Sequence, residues 1–348
     1  MLRVYYLFHA SWSLSLAFGR AWWYARGQLA RDLQLPKILA ADNHEMRRRR
    51  HYFLGSTYLA TVMGCLHKLN RSPDEIYLFA NLSTLACYFD DLVDAVRTDE
   101  RSFSWKDNPE VFGIALDRRG LALHLLHNIY RKLPEKGKAT FQNYMHRVFN
   151  VETAGRQMLR KRWPLEQALA DASPSVVQEE PVLDIEQLKN ITAEKGGASV
   201  LLFRSLLNQD LSSAEEKALY QFGYLIQLSD DIFDFWHDRQ AGIATLATLL
   251  IERGELEQLI ELYEQQVSVT HRAFRQTSFP SKQVETSLYS LHYLVSITRI
   301  CLQHYLDVAR EFSVLPLHDR TIMVVDMETL NNILRLAGYL FRPVEQNS

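Results

Sequence analysis

Asp90, Asp91 and Asp94 close an apolar segment containing Leu78, Phe79, Leu82, Leu85, Ala86 and Phe89. Asp230, Asp231 and Asp234 close a second one, containing Phe222, Tyr224, Leu225 and Ile226, with Asp238 a further turn along. In each cluster the first and last aspartates are four apart. On a helix they share one face, with about 6 Å of rise between them. Oxygen ligands at that spacing suit hard cations. Without a cation the arrangement is costly, because like charges at this spacing repel and the helix dipole disfavours carboxylates at a C-terminal end. One such cluster is as well explained by a solvated acidic helix end as by metal binding. Two of them, each ending an apolar helix, point to metal shared across a cleft. A di-iron bundle would use Glu-x-x-His pairs. Only Asp234 has a histidine three residues on, His237, which is read as structural or solvated. The aspartates favour Mg²⁺.

Helices are the elements that must hold these carboxylates. The 348 residues contain only 14 Gly and 10 Pro, and Leu, Ala, Glu, Arg and Gln recur at helical spacing. The pattern predicts an all-α chain, with helices over 41–68, 73–96, 118–132, 136–163, 185–207, 213–238, 255–277, 282–312 and 321–340. Ser72, Ser212 and Ser281 are the expected N-caps, and Glu215 completes a capping box with Ser212. Two polar stretches, 98–109 and 171–184, read as loops. Lys+Arg 39 against Asp+Glu 41 leaves a net charge of -2, so no global field suggests nucleic acid as a partner. The three cysteines, Cys65, Cys87 and Cys301, form no metal or redox spacing and fit a reducing cytoplasm. Val4 to Phe18 is apolar and aromatic but interrupted by His9, Ser11, Ser13 and Ser15, and is shorter than a membrane span. It reads as a docked or interfacial helix. Trp22, Trp23 and Tyr24 covering the core is preferred to peripheral membrane contact.

The two acidic motifs resemble those of the class I isoprenoid synthases, which include trans-isoprenyl diphosphate synthases, squalene and phytoene synthases and related bacterial terpene synthases. Asp90, Asp91 and Asp94 match the first motif of that superfamily. Gly223, Gln227, Asp230, Asp231 and Asp234 match Gly-x-x-x-Gln-x-x-Asp-Asp-x-x-Asp of the second. By order and spacing the resemblance covers Met46 to Gly242. It implies a single-domain helical bundle around a central cleft, spanning 41–343 after an N-terminal arm of 1–40. It also implies Mg²⁺, three ions, held by the six aspartates, with a prenyl diphosphate as the substrate partner and a homodimer as one assembly open to the chain. Arg97, Arg101, Lys195, Gln227 and Arg239 are the implied diphosphate ligands. Lys195, in Thr192-Ala193-Glu194-Lys195-Gly196-Gly197, resembles the diphosphate-binding lysine of the elongating synthases, and the adjacent glycines would let a neighbour approach closely. Leu85, Ala86 and Gly223 are the implied pocket residues.

Where elongating synthases carry Gly-Gly-Lys-x-x-Arg, this chain has Met46-Arg47-Arg48-Arg49-Arg50-His51-Tyr52. Separated Arg97 and Arg101 replace their paired arginines. The expected reaction is therefore that of a terpene synthase acting on one allylic diphosphate. The modest size of Leu85 and Ala86, where bulky residues shorten products, suggests a chain of twenty carbons or more. A prenyltransferase, elongating or head-to-head, is the alternative, and a non-catalytic subunit is the alternative of another class.

Overall fold

The computed structural model describes residues 2–27, 43–67, 73–89, 118–171, 184–312, 315–317, 319–327 and 329–342. Among them every regular element is a helix. In chain order these are α1 (Leu2–Gly27), α2 (Asn43–His67), α3 (Pro73–Cys87), α4 (Arg118–Lys132), α5 (Glu135–Asp171), α6 (Ile185–Arg204) and α7 (Ser213–Phe233). There follow α8 (Phe235–Gln240), α9 (Leu246–Glu252), α10 (Leu256–Arg275), α11 (Ser281–Glu311), α12 (Arg320–Met323) and α13 (Leu330–Phe341). The expected loop at 98–109, all but the two end residues of that at 171–184, the N-cap Ser72 and the last residues of the helix expected to 96 lie outside the described residues.

The chain divides into two compact units. The first comprises Met1–Phe149, Ser199–Ser212 and Phe279–Ser290. Here α1 packs on α2, α2 on α3, and α3 on α4. Leu7, Ala10, Leu14 and Ala21 form the buried stripe of α1. Small polar residues let α2 approach its neighbours: Ser83 Oγ on α3 donates to Ser56 Oγ at 2.5 Å, and Ser287 Oγ on α11 donates to the Val62 carbonyl at 3.1 Å. Arg49 is wholly buried, its Nε donating 2.6 Å to the Tyr88 hydroxyl. A buried guanidinium requires such partners, since desolvating it unpaired is costly. Trp22 and Trp23 do not cover the core as expected, being 43% and 79% exposed, whereas Tyr24 packs inward against Phe53 at 5.4 Å.

The second unit comprises Asn150–Ala198, Ser213–Ser278 and Leu291–Ser348. Its centre is α7, packed on α10 through an edge-to-face contact of Phe222 and Phe274 and through Gln266 and Thr270, which both donate to the Gln221 carbonyl. Helix α6 crosses α7 at glycine. A methyl group on Gly196 would meet the Gly223 carbonyl oxygen at 2.0 Å, and one on Gly223 would meet the Gly196 oxygen at 2.2 Å. The two backbones touch directly, and only glycine permits that.

Three corrections to the sequence reading have identifiable causes in the structure. The helix expected over 213–238 breaks at Asp234, where φ and ψ are -91° and 7°. Tyr305 on α11 donates to the Ile232 carbonyl at 3.1 Å and its ring contacts buried Phe235, which turns the chain there. Gly242, at φ 68°, then ends α8: Ile243 N–H reaches back to the Asp238 carbonyl and Gly242 N–H to that of Arg239. The capping box of Thr245 and Thr248 starts α9, an unexpected helix. Finally, the helix expected over 321–340 is two pieces, because Asp319 caps α12, Val324 is extended and Thr329 caps α13.

Gly223→Ala should lower stability by about 3 kcal/mol or more, since the backbone must shift to admit the methyl group. Gly55→Ala, in α2 with open space around it, should instead gain about 0.5–1 kcal/mol. Urea unfolding followed by circular dichroism distinguishes the two.

Candidate functional site

The Gly196–Gly223 crossing decides which side chains meet. One turn before it on α6 lies Thr192, and next to it Lys195; one turn beyond it on α7 lies Gln227, and two turns beyond lie Asp230 and Asp231. Thr192 Oγ1 donates to Asp231 Oδ2 at 3.3 Å. Gln227 Nε2 donates to Asp231 Oδ1 at 2.9 Å and to Asp230 Oδ2 at 3.4 Å. Asp231 thus has both oxygens directed by neutral donors, and Gln227, expected on the diphosphate, orients the carboxylates. Gly223, expected in the pocket, is occupied by the crossing.

Four carboxyls crowd together beyond this point. Burial, with Asp230 adding to it, pushes Asp231 up to about 7 against the opposing hydrogen bond from Gln227. Asp238, which the bend at Asp234 and the Gly242 turn set in place, is also pushed up to about 7, first by burial and then by Asp231, Asp234 and Asp230. Asp230 presents surface to water, yet the protein around it and the charge of Asp234 push it up to about 6. Burial raises exposed Asp234 too, against His237. Lys195 is the cation whose field opposes the shifts of Asp230, Asp231 and Asp238. Its ammonium lies 3.1 Å from Glu152 on α5.

This arrangement can attract cations and, through Lys195, an anion beside them. Among the described residues no group of three or more His, Cys, Asp or Glu side chains converges to hold a metal by itself. Arg239 is turned to Glu252, its Nε lying 3.1 Å from the carboxylate as an ion pair. Leu85, on α3, is buried and neighbouring Ala86 is half-buried. Asp90, Asp91, Asp94, Arg97 and Arg101 lie outside the described residues. Sequence reasoning missed Glu152 and Thr192. Thr192 carries a usable signal, being one helical turn before Lys195; Glu152 carries none, since its pairing depends on how α5 packs.

The chain is thus an all-α protein with an acidic, cation-attracting site, and its motifs resemble those of the isoprenoid synthase superfamily. No family model matches the sequence, and no curated protein matches it. Among solved structures it is similar to geranylgeranyl pyrophosphate synthetase from the archaeon Geoglobus acetivorans, with 15% identity and a TM-score of 0.46 over 81% of this chain and 98% of that one.

Asp231→Asn, an isostere of the protonated acid, tests the electrostatics. The folded-state value near 7 lies above the ordinary carboxyl value of about 4, so ionised Asp231 costs stability that is absent below about pH 4 and fully incurred above about pH 7. The metal-free variant should therefore match the parent near pH 4 and become progressively more stable than it up to pH 7, by a few kcal/mol, in denaturant titrations across that range. A constant difference would contradict the raised value.

Proposed function

We propose that this chain is a class I isoprenoid synthase that ionises one allylic prenyl diphosphate, of twenty carbons or more, and releases a linear or cyclic terpene. The reading rests on one observation: Asp230, Asp231 and Asp238 are held together against burial and mutual repulsion, with Lys195 as their opposing cation. Such a cluster of carboxyls has a ready explanation in cation binding. The donors are all carboxylate oxygens, which suits Mg²⁺. That ion is commonly held by one or two carboxylates, with substrate phosphate and water completing its shell, so no converging protein cage is needed. When bound, Mg²⁺, three ions in this reading, draws charge from the diphosphate and makes it a better leaving group.

The chain's own residues have separate tasks. Asp230, Asp231 and Asp234 supply one set of anionic oxygens, and Asp90, Asp91 and Asp94 are proposed to supply a second. Gln227 and Thr192 keep Asp231 in a fixed orientation, which spares reorganisation as charge moves. Lys195 balances the diphosphate charge, sharing its ammonium with Glu152 until the anion arrives. Arg97, Arg101 and Arg239 are the further basic candidates. The allylic C–O bond breaks with its electron pair passing to the diphosphate. The carbocation, linear or cyclised, then loses a proton to the released diphosphate to give a hydrocarbon, or adds water and loses a proton to give an alcohol. Residues 41–343 act as the catalytic region, with 1–40 as an arm. Small Ala86, half-buried on α3, supports the long-chain substrate.

A prenyl-coupling enzyme would need a second diphosphate, and the basic run Arg47 to Arg50 is the sequence feature that could hold it. Arg49 of that run is buried against Tyr88, which favours the single-substrate reading.

Incubating the protein with Mg²⁺ and allylic diphosphates of increasing length, with and without isopentenyl diphosphate, tests the proposal by mass spectrometry of products. A hydrocarbon or alcohol should form from one allylic substrate alone, fastest from the longer chains, and Asp230→Ala should reduce the rate by about a hundredfold or more. Longer prenyl diphosphates, made only when isopentenyl diphosphate is present, would make it an elongating synthase. Failure to release diphosphate from any substrate would favour the non-catalytic subunit.

A further inference from the structure

Helix α1 has apolar residues on two opposite faces. Leu7, Ala10, Leu14 and Ala21 are buried, and on that side Tyr6 stacks on Tyr289 at 5.9 Å. The other face carries Val4, Phe8, Trp12, Leu16 and Trp23, exposed by 61%, 64%, 57%, 41% and 79%. At about 100° per residue these five fall in an arc of about 120°, a stripe running about 28 Å along the helix. Single exposed apolar residues are ordinary, but a stripe of five, three of them aromatic, marks an interaction surface.

Charge identifies the occupant. The first 31 residues carry Arg3, Arg20, Arg26 and Arg31 and no acid before Asp32, whereas the whole chain has a net charge of -2. This segment is therefore basic and the remainder acidic. Pairing α1 with its copy would bring two basic segments together, whereas an anionic lipid surface complements them. Tryptophan suits the same environment, since its ring sits at the boundary of headgroup and acyl chain. No helix among the described residues is long and apolar enough to cross a membrane, so a helix of this kind lies along the surface.

We propose that α1 docks the protein on the surface of an anionic lipid bilayer. Val4, Phe8, Trp12, Leu16 and Trp23 enter the headgroup–acyl boundary, and exposed Arg20 at the edge of the stripe meets lipid phosphates. This inference is independent of the catalytic reading, because it rests on residues far in sequence from either acidic motif.

Flotation of the full chain with vesicles tests it. The protein should float with phosphatidylcholine–phosphatidylglycerol vesicles, bind phosphatidylcholine alone about tenfold less or weaker, and dissociate as salt rises. Phe8→Glu and Trp23→Glu, each at an exposed position that leaves the buried stripe intact, should each lower binding to the anionic vesicles about tenfold or more. Their circular dichroism should match the parent's. Failure of the parent to float, or unchanged flotation of both variants, would overturn the proposal. So would a parent dimer in size-exclusion chromatography that both variants convert to monomer without any vesicle binding, since the stripe would then be an interface between copies.

Discussion

The contact of two peptide backbones at Gly196 and Gly223 is the constraint on which the acidic site depends. Side chains normally keep helix axes about 8–10 Å apart. With no Cβ on either residue, a carbonyl of each helix occupies the space a methyl group would need on the other. That approach lets Thr192, a short side chain, reach Asp231 across the gap, and brings Lys195 to the carboxylates of the neighbouring helix. Gly197 extends the same tolerance, since a methyl group there would lie 2.4 Å from the Tyr220 ring. Tyr220 in turn donates to Glu194 at 3.1 Å, so both sides of Lys195 are tied to α7.

Electrostatic tension follows from that packing. The bend in the helix sets Asp238 within the fields of Asp230, Asp231 and Asp234, and burial of Asp231 and half-burial of Asp238 remove part of the water that would otherwise screen them. The hydrogen bond Tyr305 gives to the Ile232 carbonyl satisfies the backbone group at the bend, so the bend is supported from outside the helix. Farther from the site, the pair of Arg299 Nε and Glu264, at 2.7 Å, ties α11 to α10 and steadies the helix that carries Tyr305. Scaffold and site are thus in different balances: the surrounding helices are satisfied by packing and hydrogen bonds, while the carboxyls keep an unmet preference for positive charge.

The parts of this arrangement that are local in sequence were legible there. Helical periodicity, the i,i+4 aspartates of the second motif and the glycines beside Lys195 each express themselves within a turn or two. The bend at Asp234 was not legible, because its cause, Tyr305, lies 73 residues from the carbonyl it binds. Glu152 escaped notice for the same reason, as nothing near it in sequence marks it as the partner of Lys195. Arg49 was one of four consecutive arginines, and which of them turns inward is decided by the packing of α2 rather than by composition. Trp22 and Trp23 misled in the opposite sense: aromatic residues usually cover a core, yet here the buried stripe of α1 is built from smaller residues, and the tryptophans face water.

Calorimetric titration of inorganic diphosphate into the protein, with and without Mg²⁺, tests the central claim most directly: that the cluster on α7 is completed by magnesium and diphosphate. The account predicts binding that requires Mg²⁺ and weakens about tenfold or more in Asp231→Asn and in Lys195→Ala, both of which remain folded. Diphosphate binding of equal strength without Mg²⁺, or unchanged by either substitution, would contradict it.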